Sequence, residues 1–304
     1  MEHAAIDEAR APPDRGFAER PGQGTMTDAM PFRHVLMTRF NLATPGKESD
    51  IRNRPGWLAE RFDLFERYCL PSVAAQGAHA FDWIIYFDEG TPEPFRSRIA
   101  ACQQVFPFHA YFTGLFPGSG WPRSVREVLG VEDGLLLSTR LDNDDALASD
   151  FIARLHAAVV AGGLAPGSWN VRNGFVVGST RVYTLAHPAN PFFSFLEPVG
   201  PKLRTAPSIL HLDIADHGPV HQIEGPGAWA QMVHGGNVSN KLRGRLVDPS
   251  ALAGRFPPAV TEGLAPVSAG TLLLERALAE PARRLRDFAS ESRHALSKRR
   301  ARGN

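Results

Sequence analysis

From residue 34 to residue 162 the chain alternates short apolar runs with segments of helical period. Residues 34–40, 83–87 and 134–137 are short and apolar, which predicts buried strands. Between these runs apolar residues recur every three or four positions, as in residues 58–69, which predicts amphipathic helices. This alternation is typical of an α/β fold whose mostly parallel central sheet carries helices on both faces. Ligands of such sheets bind at the carboxyl ends of the strands.

The pattern changes after Gly162. Residues 169–187 predict two strands joined by a turn, whereas residues 188–202 are rich in proline and phenylalanine and predict an irregular segment. Residues 211–241 are loop-rich and contain many His, Asp, Trp and Gly residues, and long irregular stretches in compact domains often carry function. We therefore expect a loop-rich C-terminal half, residues 163–265, in the same domain.

The two ends of the chain differ from this central part. Residues 1–30 are rich in Ala, Pro, Gly, Arg and Glu without any period, which predicts a disordered leader. An amphipathic helix is expected from Ser268 and is broken at Pro281. Residues 283–302 then contain eight Arg or Lys residues against two acids, so residues 266–304 are predicted to form a helical, basic tail.

Charge and cysteine content exclude several classes of protein. The net charge of +1 does not suit a nucleic-acid binder, so we predict no nucleic-acid partner. Cys69 and Cys102 fall at apolar positions of predicted helices, which argues against disulfides and against a cysteine zinc site. No stretch approaches the length of a transmembrane helix, and the N-terminus lacks the apolar core of a signal peptide. A cytoplasmic protein is expected.

Three aspartates and an asparagine follow the third predicted strand in STRLDNDDAL, residues 138–147. A buried strand cannot deliver several carboxylates into an apolar core without hydrogen-bond donors, water or a cation. In extended geometry Asp142 and Asp144 point to one side, and their oxygens suit Mg²⁺ or Mn²⁺ completed by substrate phosphates. Asp145 is expected at the N-terminus of the next helix, which is predicted over residues 146–161.

The acidic segment has other interpretations. In the simplest one, Asp144 or Asp145 only caps a helix, because aspartate is common at caps and turns. An EF-hand loop requires a further ligand and a glycine at positions that Ala146 and Leu147 occupy. A phosphoesterase with an aspartate nucleophile usually places its aspartates after the first strand, which here ends in TRFN. The predicted ligand edge, with Asp88 ending the second strand, favours the metal site.

Five segments in order resemble one family. HVLMTRFN, CLPSVAAQ, DWIIYFDEGTP, STRLDNDDAL and MVHGGN are similar to the bacterial rhamnosyltransferase family, and the resemblance covers roughly residues 32–242. A single motif of this kind is unspecific, whereas five in the same order are much more specific. The family is similar to glycosyltransferases of the Rossmann-like GT-A fold. It implies a GT-A-like domain over residues 31–265, with a nucleotide-binding half, residues 31–162, and an acceptor half, residues 163–265.

The resemblance also implies a nucleotide-diphosphate-sugar donor, with rhamnose as the sugar that the family name indicates. It makes Asp142-Asn143-Asp144 the Asp-x-Asp motif, which holds Mn²⁺ or Mg²⁺ on the diphosphate, and it adds His234 as a metal ligand. Asp88 would contact the nucleobase or ribose. Thr38 and Arg39 would lie beside the nucleotide. The acceptor is expected to be a glycan or a lipid-linked glycan.

Sugar transfer makes two chemical demands on the site. The charge that develops on the diphosphate must be neutralised, which a bound cation does, and Arg39 or Arg140 would assist because guanidinium binds phosphate bidentately. An inverting enzyme also requires a carboxylate base for the acceptor hydroxyl, and the candidates are Asp216, Asp213 and Glu197. A retaining enzyme requires no such base, and the sequence leaves the stereochemistry open.

Several of these assignments have structural alternatives. Asp88 precedes Gly90 and is equally explained as a turn residue, Arg39 as a partner of a nearby acid, and His234 as a structural histidine. A non-catalytic nucleotide- or glycan-binding protein and a nucleotidyltransferase are the competing functions. The basic tail is a solvated helix end in the simplest interpretation; otherwise it contacts an anionic membrane surface, peripheral to the inner membrane.

Overall fold

Two β-sheets organise the protein in this computed structural model, which describes residues 30–42, 52–114, 120–234 and 242–281. The strands are β1 (Arg33–Arg39), β2 (Asp82–Asp88), β3 (His109–Thr113), β4 (Leu135–Arg140), β5 (Ala146–Leu147), β6 (Gly167–Val171), β7 (Asn173–Val177), β8 (Val182–Ala186), β9 (Ser194–Pro198), β10 (Val220–Ile223), β11 (Trp229–Met232) and β12 (Arg245–Val247). The α-helices are α1 (Trp57–Leu64), α2 (Leu70–Ala74), α3 (Glu93–Val105), α4 (Gly120–Leu129), α5 (Phe151–Ala161) and α6 (Ala269–Leu274).

The larger sheet confirms the predicted α/β fold. Its seven strands lie in the order β10-β6-β9-β4-β1-β2-β3, and β1, β2, β3 and β4 are parallel neighbours. Only the pairs of β9 with β4 and with β6 are antiparallel, so the sheet is mostly parallel. Its central strands are buried at nearly every position, as expected when both faces of a parallel sheet are covered. The chain from Phe32 onward forms one compact unit.

The segment predicted to be irregular, residues 188–202, instead contains β9, and this prediction was wrong. Phe195 and Leu196 are buried, and the strand lies between β4 and β6 in the centre of the sheet. Pro198 is its last residue, where the missing N–H costs least. The prolines therefore delimit a short strand rather than prevent one.

A buried chain of hydrogen bonds ties this region together. His34 of β1 bonds through Nδ1 to Nε2 of His156 on α5 and through Nε2 to Oγ1 of Thr139 on β4, each at 2.8 Å. The Thr139 hydroxyl continues to Ser194 of β9 at 2.6 Å. Burial lowers the pKa of His156 to about 4, so the ring is neutral and acts as a hydrogen-bond partner.

The helix predicted from the apolar stripe of residues 58–69 is present, and the helical stretch continues past Pro71 to Ala74. A π-helical turn, Phe65–Cys69, joins α1 to α2, and Pro71 lies in the first turn of α2. Because Pro71 lies inside a continuous helical stretch, the wider π-helical turn before it gives its ring the space that a regular α-helical turn would not. Cys69 and Cys102 are both buried free thiols, as predicted.

The smaller sheet has the order β12-β8-β7-β11-β5 and includes the predicted hairpin of β7 and β8. Its strand β5 follows the acidic segment directly. The helix predicted from residue 146 therefore begins only at Phe151, because Ala146 and Leu147 pair with Ala230 and Trp229 of β11.

The last described helix, α6, packs on this smaller sheet. Val267 and Leu272 contact a cluster of Val176, Tyr183 and Leu246, so residues beyond 265 contribute to the same core. The predicted leader, and the basic segment from residue 282, lie outside the described residues. None of the described helices is long and apolar enough to cross a lipid bilayer.

Gly174 of β7 provides a test of the packing of Trp229 against β7 in the smaller sheet. A Cβ at this position would lie 2.0 Å from the indole of the buried Trp229, so Gly174→Ala must displace β7 or β11. We expect a loss of unfolding free energy of about 2–3 kcal/mol in urea denaturation. Gly200→Ala is the matched control, because nothing lies within 4 Å of a Cβ there. Equal stability of the two variants would contradict the observed packing.

Candidate functional site

The candidate site lies where the parallel strands β1, β2 and β4 end. Parallel neighbours bring their carboxyl ends to one edge of the sheet, so Arg39, Asp88 and Arg140 end adjacent strands there. Residues 141–145, here called the acidic loop, leave β4 at this edge and cross to β5 of the smaller sheet. The loop is held to β1 by the N–H of Leu141, which donates to the carbonyl of Met37 at 3.1 Å.

Asp142 is paired with Arg140. The guanidinium donates from Nη2 to both carboxylate oxygens at 3.0 Å and from Nε to Oδ1 at 3.2 Å. The Asp142 side chain is 36% exposed and that of Arg140 26%, so the pair faces solvent at the mouth of the site. Both predicted residues are therefore at the edge of the sheet and within reach of a ligand.

Asp144 is the buried centre of the loop. Its Oδ2 accepts from Nη1 of Arg61 at 2.8 Å and lies 2.9 Å from Nε2 of His234, with only 8% of the side chain exposed. Burial alone would raise the pKa of the Asp144 carboxyl, but the hydrogen bond from His234 and the charge of Arg61 hold the pKa below its ordinary value. Asp144 is therefore an anion that two elements distant in sequence, α1 and the end of β11, both contact.

Strand pairing explains why His234 reaches the loop. Because β11 runs antiparallel to β5, the residues after β11 run back beside the acidic loop that precedes β5. The N–H of Met232 donates to Oδ1 of Asp145 at 2.8 Å, which fixes this return. His234 then lies beside Asp144, and its role as a metal ligand stays a prediction.

Asp145 has a different role from the one predicted. It does not start a helix, since α5 begins at Phe151, and its carboxyl is buried against β11. Burial raises the pKa of Asp145 well above its ordinary value, and the charges of Asp144 and Asp142 raise it further. The side chain is thus an internal acceptor that joins the acidic loop to the smaller sheet.

Two residues predicted to bind the nucleotide are buried parts of the framework. Asn143 donates from Nδ2 to the carbonyl of Phe40 at 2.9 Å, which holds the acidic loop against the end of β1. Thr38 is completely buried, and its hydroxyl accepts the indole N–H of Trp83 at 2.9 Å. The Thr38 hydroxyl is therefore part of the framework, and the place of Thr38 beside the nucleotide stays a prediction.

Asp88 is a turn residue, as one interpretation of its sequence had it, and it also pairs with an arginine, while its contact with the nucleobase or ribose stays a prediction. Oδ1 accepts the N–H of Gly90 at 2.7 Å, which is a turn, and Oδ2 accepts Nη1 of Arg52 at 2.7 Å. The same guanidinium nitrogen donates to the carbonyl of Asn41 at 2.8 Å. Asp88 thus places an arginine at the ends of β1 and β2, where Arg39 is exposed.

The three predicted bases lie in different places. Glu197 pairs with Leu136 near the start of β4, and its carboxylate accepts the N–H groups of Arg204 and Thr205. Because it lies at the other end of the strand from Arg140, the structure does not bring it to the acidic loop. Asp213 and Asp216 lie on the 3₁₀ segment His211–His217, Asp213 half-buried and Asp216 exposed.

His211 is the first residue of that 3₁₀ segment. Burial lowers the pKa of His211 to about 4, and the charge of Arg140 lowers it further while Asp142 opposes this. Its buried Nδ1 has no hydrogen-bond partner within the described ranges, and its ring centroid lies 6.4 Å from that of His187. A neutral, unsatisfied imidazole at this position suits contact with a polar ligand.

The sequence interpretation missed Arg61, Arg52 and His211. Arg61 precedes Phe62 on the predicted helix, where an arginine ordinarily belongs to the solvated face. Its contact with Asp144 spans 83 positions of sequence, and no local pattern reveals it. His211 carried a weak signal, since it opens the loop-rich segment that was expected to carry function.

The predicted cation requires more ligands than the protein alone brings together. Within the described residues no group of three His, Cys, Asp or Glu side chains has a geometry that holds a metal ion. Asp144 and His234 form a pair of suitable type, and Asp142 is exposed nearby, but a guanidinium engages each carboxylate. These residues fit Mg²⁺ or Mn²⁺ as part of a shell that phosphate oxygens complete.

A match to a family profile shows which protein family the chain belongs to. The family described as "Putative rhamnosyl transferase" matches residues 33–246, which is more than half of the chain and includes β1, β2, β4 and the acidic loop. The chain belongs to this family. The predicted family is thereby confirmed, and its description names a class of glycosyltransferases, as expected. No curated protein matches the chain.

Solved structures with a similar arrangement are distant. The crystal structure of S. aureus TarS 1–349 aligns with a TM-score of 0.41 at 8% identity, covering 66% of this chain and 60% of that one, and the same fragment in complex with UDP aligns at 0.41 and 9% over the same shares. A structure from Desulfovibrio desulfuricans G20 described as a "putative nucleotide-diphospho-sugar transferase" aligns with a TM-score of 0.30 at 11% identity, covering 66% of this chain and 80% of that one. The chain thus spans about three-fifths of the TarS fragment.

Matched amide substitutions test the unequal roles of Asp144 and Asp145. Asp144→Asn leaves the Arg61 guanidinium, only 12% exposed, without its anion, and we expect a loss of about 3 kcal/mol in unfolding free energy at neutral pH. Asp145→Asn keeps an acceptor for the N–H of Met232 and removes a carboxyl whose ionised form is disfavoured, so we expect a loss of about 1 kcal/mol or less. Urea denaturation measures both. The reverse order of the two losses would refute the assigned roles.

Proposed function

We propose that the protein transfers a sugar, rhamnose in the first instance, from a nucleoside-diphosphate sugar to a hydroxyl of a glycan or lipid-linked acceptor. The observation that carries the proposal is the family match over residues 33–246, which contains the whole of the acidic loop and the strand ends around it. The sheet edge at the carboxyl ends of β1, β2 and β4 is the expected place for a nucleotide on such a sheet.

The diphosphate would lie against Arg140 and Arg61. Guanidinium groups bind phosphate oxygens with paired hydrogen bonds, and these two are held in place by Asp142 and Asp144. Arg52, fixed by Asp88 between β1 and β2, would face the nucleoside side of the donor. Neutral His211 would supply a hydrogen bond without adding charge.

The predicted Mn²⁺ or Mg²⁺ belongs to this proposal, with Asp142, Asp144 and His234 as its protein ligands. When bound it would neutralise charge on the departing diphosphate. Two carboxylates and two guanidinium groups balance one another in the site as it stands. A divalent cation and the two negative charges of a nucleotide-sugar diphosphate preserve that balance when added together, whereas either one alone disturbs it more.

The charge balance of the site predicts that Mn²⁺ and a nucleoside diphosphate bind together more tightly than either binds alone. Mn²⁺ alone or a nucleoside diphosphate alone should raise the melting temperature little, because each leaves an uncompensated charge in a partly buried site. Both together should raise it by several degrees, about the effect of 1–2 kcal/mol. Differential scanning fluorimetry with UDP, GDP and dTDP measures this. Equal shifts with and without Mn²⁺ would remove the cation from the proposal.

The base is proposed to be Asp216 or Asp213 on the segment that begins at His211. Asp213→Asn or Asp216→Asn should lower the transfer rate at least about a hundredfold and leave donor affinity unchanged, because the base acts only on the acceptor hydroxyl. Glu197→Gln is the comparison, since Glu197 bonds to backbone far from the loop. If neither aspartate variant slows transfer, the enzyme either retains configuration or uses another group.

A donor panel tests the function itself. The protein is incubated with Mn²⁺, nucleotide sugars that include the rhamnose donors, and bacterial glycan acceptors, and free nucleoside diphosphate and glycosylated product are measured. Transfer or diphosphate release supports the proposal. Donor binding without turnover indicates a binding protein, and pyrophosphate release from a nucleoside triphosphate indicates a nucleotidyltransferase.

A further inference from the structure

The outer side of the last described helical stretch is apolar. Helix α6 continues into a π-helical turn, Glu275–Ala279, and Leu273, Leu274 and Leu278 on this stretch are 65%, 65% and 71% exposed. We name these three side chains the leucine ridge. They are among the most exposed large apolar residues in the described part of the chain.

The helix is attached to the protein by its opposite side. Leu272 packs against the cluster of Val176, Tyr183 and Leu246 on the smaller sheet, and the Ser268 hydroxyl caps the first turn by accepting the N–H of Thr271 at 3.1 Å. Leu274 and Leu278 are one helical turn apart, so they project together from the side that solvent reaches.

This arrangement inverts the usual pattern of a surface helix. An ordinary surface helix buries its apolar stripe and presents polar residues to water. Here one leucine anchors the helix, while the three leucines of the ridge face outward and are left largely in contact with water. Contiguous exposed apolar side chains of this kind mark a surface that another protein or a membrane covers.

The distribution of charge along the chain indicates which of these partners covers the leucine ridge. The residues that follow, 282–304, contain eight Arg or Lys residues and two acids, a net charge of +6. Because the whole chain has a net charge of +1, all residues before them together carry −5. Basic residues concentrated next to exposed leucines are the combination that binds an anionic lipid surface.

We propose that the leucine ridge binds the surface of an anionic bilayer, with the leucines entering the headgroup region, and that the positive charge of residues 282–304 makes the chain prefer anionic to neutral lipid. A second copy of the chain fits the ridge less well, because it would bring two segments of +6 together. This surface is separate from the acidic loop, and the proposal does not depend on the proposed function.

Vesicle cosedimentation of the full chain tests this proposal. The probes are vesicles of phosphatidylcholine alone and of phosphatidylcholine with about one-third phosphatidylglycerol, a typical anionic fraction. We expect at least about tenfold stronger partitioning to the anionic vesicles, weakened by raised salt because a Debye length shorter than about 10 Å screens the charges.

Three variants separate the contributions. Leu274→Ser with Leu278→Ser should lower partitioning to anionic vesicles at least about tenfold, because two leucines that would be buried in the lipid are lost from the contact. Arg299→Glu with Arg300→Glu should lower it similarly through charge. Val105→Ser is the matched control, since Val105 is 62% exposed on α3, and it should partition as the unchanged protein does.

Specific results would overturn the proposal. Equal partitioning to neutral and anionic vesicles removes the basic segment from the interaction, and unchanged partitioning of the leucine variant removes the ridge. If no vesicle is bound and the leucine variant converts a dimer to a monomer in light scattering, the ridge joins two copies of the chain. If no vesicle is bound and the protein is a monomer throughout, the bilayer proposal is wrong and the ridge is not a docking surface for lipid.

Discussion

The buried ion pair between Arg61 and Asp144 is the interaction on which the candidate site depends. Its atoms are 2.8 Å apart and both side chains are almost removed from water, so loss of either partner leaves an uncompensated charge. The pair joins α1 to the loop between the two sheets, and His234 adds the end of β11 to the same carboxylate. A site for a charged ligand is thus assembled from three separate parts of the chain.

Neighbouring contacts hold the acidic loop in place from both ends. Asn143 fastens it to the carbonyl of Phe40 at the end of β1, and Asp145 fastens it to the N–H of Met232 in β11. Asp142 is left at the surface with Arg140. Consecutive acidic and amide residues therefore have distinct tasks: two position the loop, one anchors a buried arginine, and one lies at the mouth of the site.

The periodicity of apolar residues along the sequence was sufficient to predict several strands and one helical stretch. The buried strands β1, β2 and β4 and the stripe of residues 58–69 follow from apolar periodicity, and the position of Asp88 and the acidic loop follows from parallel strands. The strand β9 was missed because the prolines of residues 188–202 suggested a loop. Pro198 is the last residue of the strand, a position where a proline does not prevent strand pairing. Thr38 was placed beside the nucleotide from its position at the end of the first strand, and only the structure shows that its hydroxyl accepts the indole N–H of Trp83. Arg61 reaches the site through a tertiary contact with Asp144 that the sequence does not encode locally.

If the acidic loop and its arginines receive the donor diphosphate, removal of Arg140 must weaken that binding. Isothermal titration of a nucleoside diphosphate with Mn²⁺ into the protein and into Arg140→Ala measures this directly, with Arg126→Ala, whose guanidinium bonds to the carbonyl of Gly200 away from the loop, as the control. We predict at least about tenfold weaker binding for Arg140→Ala and unchanged binding for Arg126→Ala. Equal affinity of Arg140→Ala and the unchanged protein would contradict the placement of the diphosphate at the acidic loop.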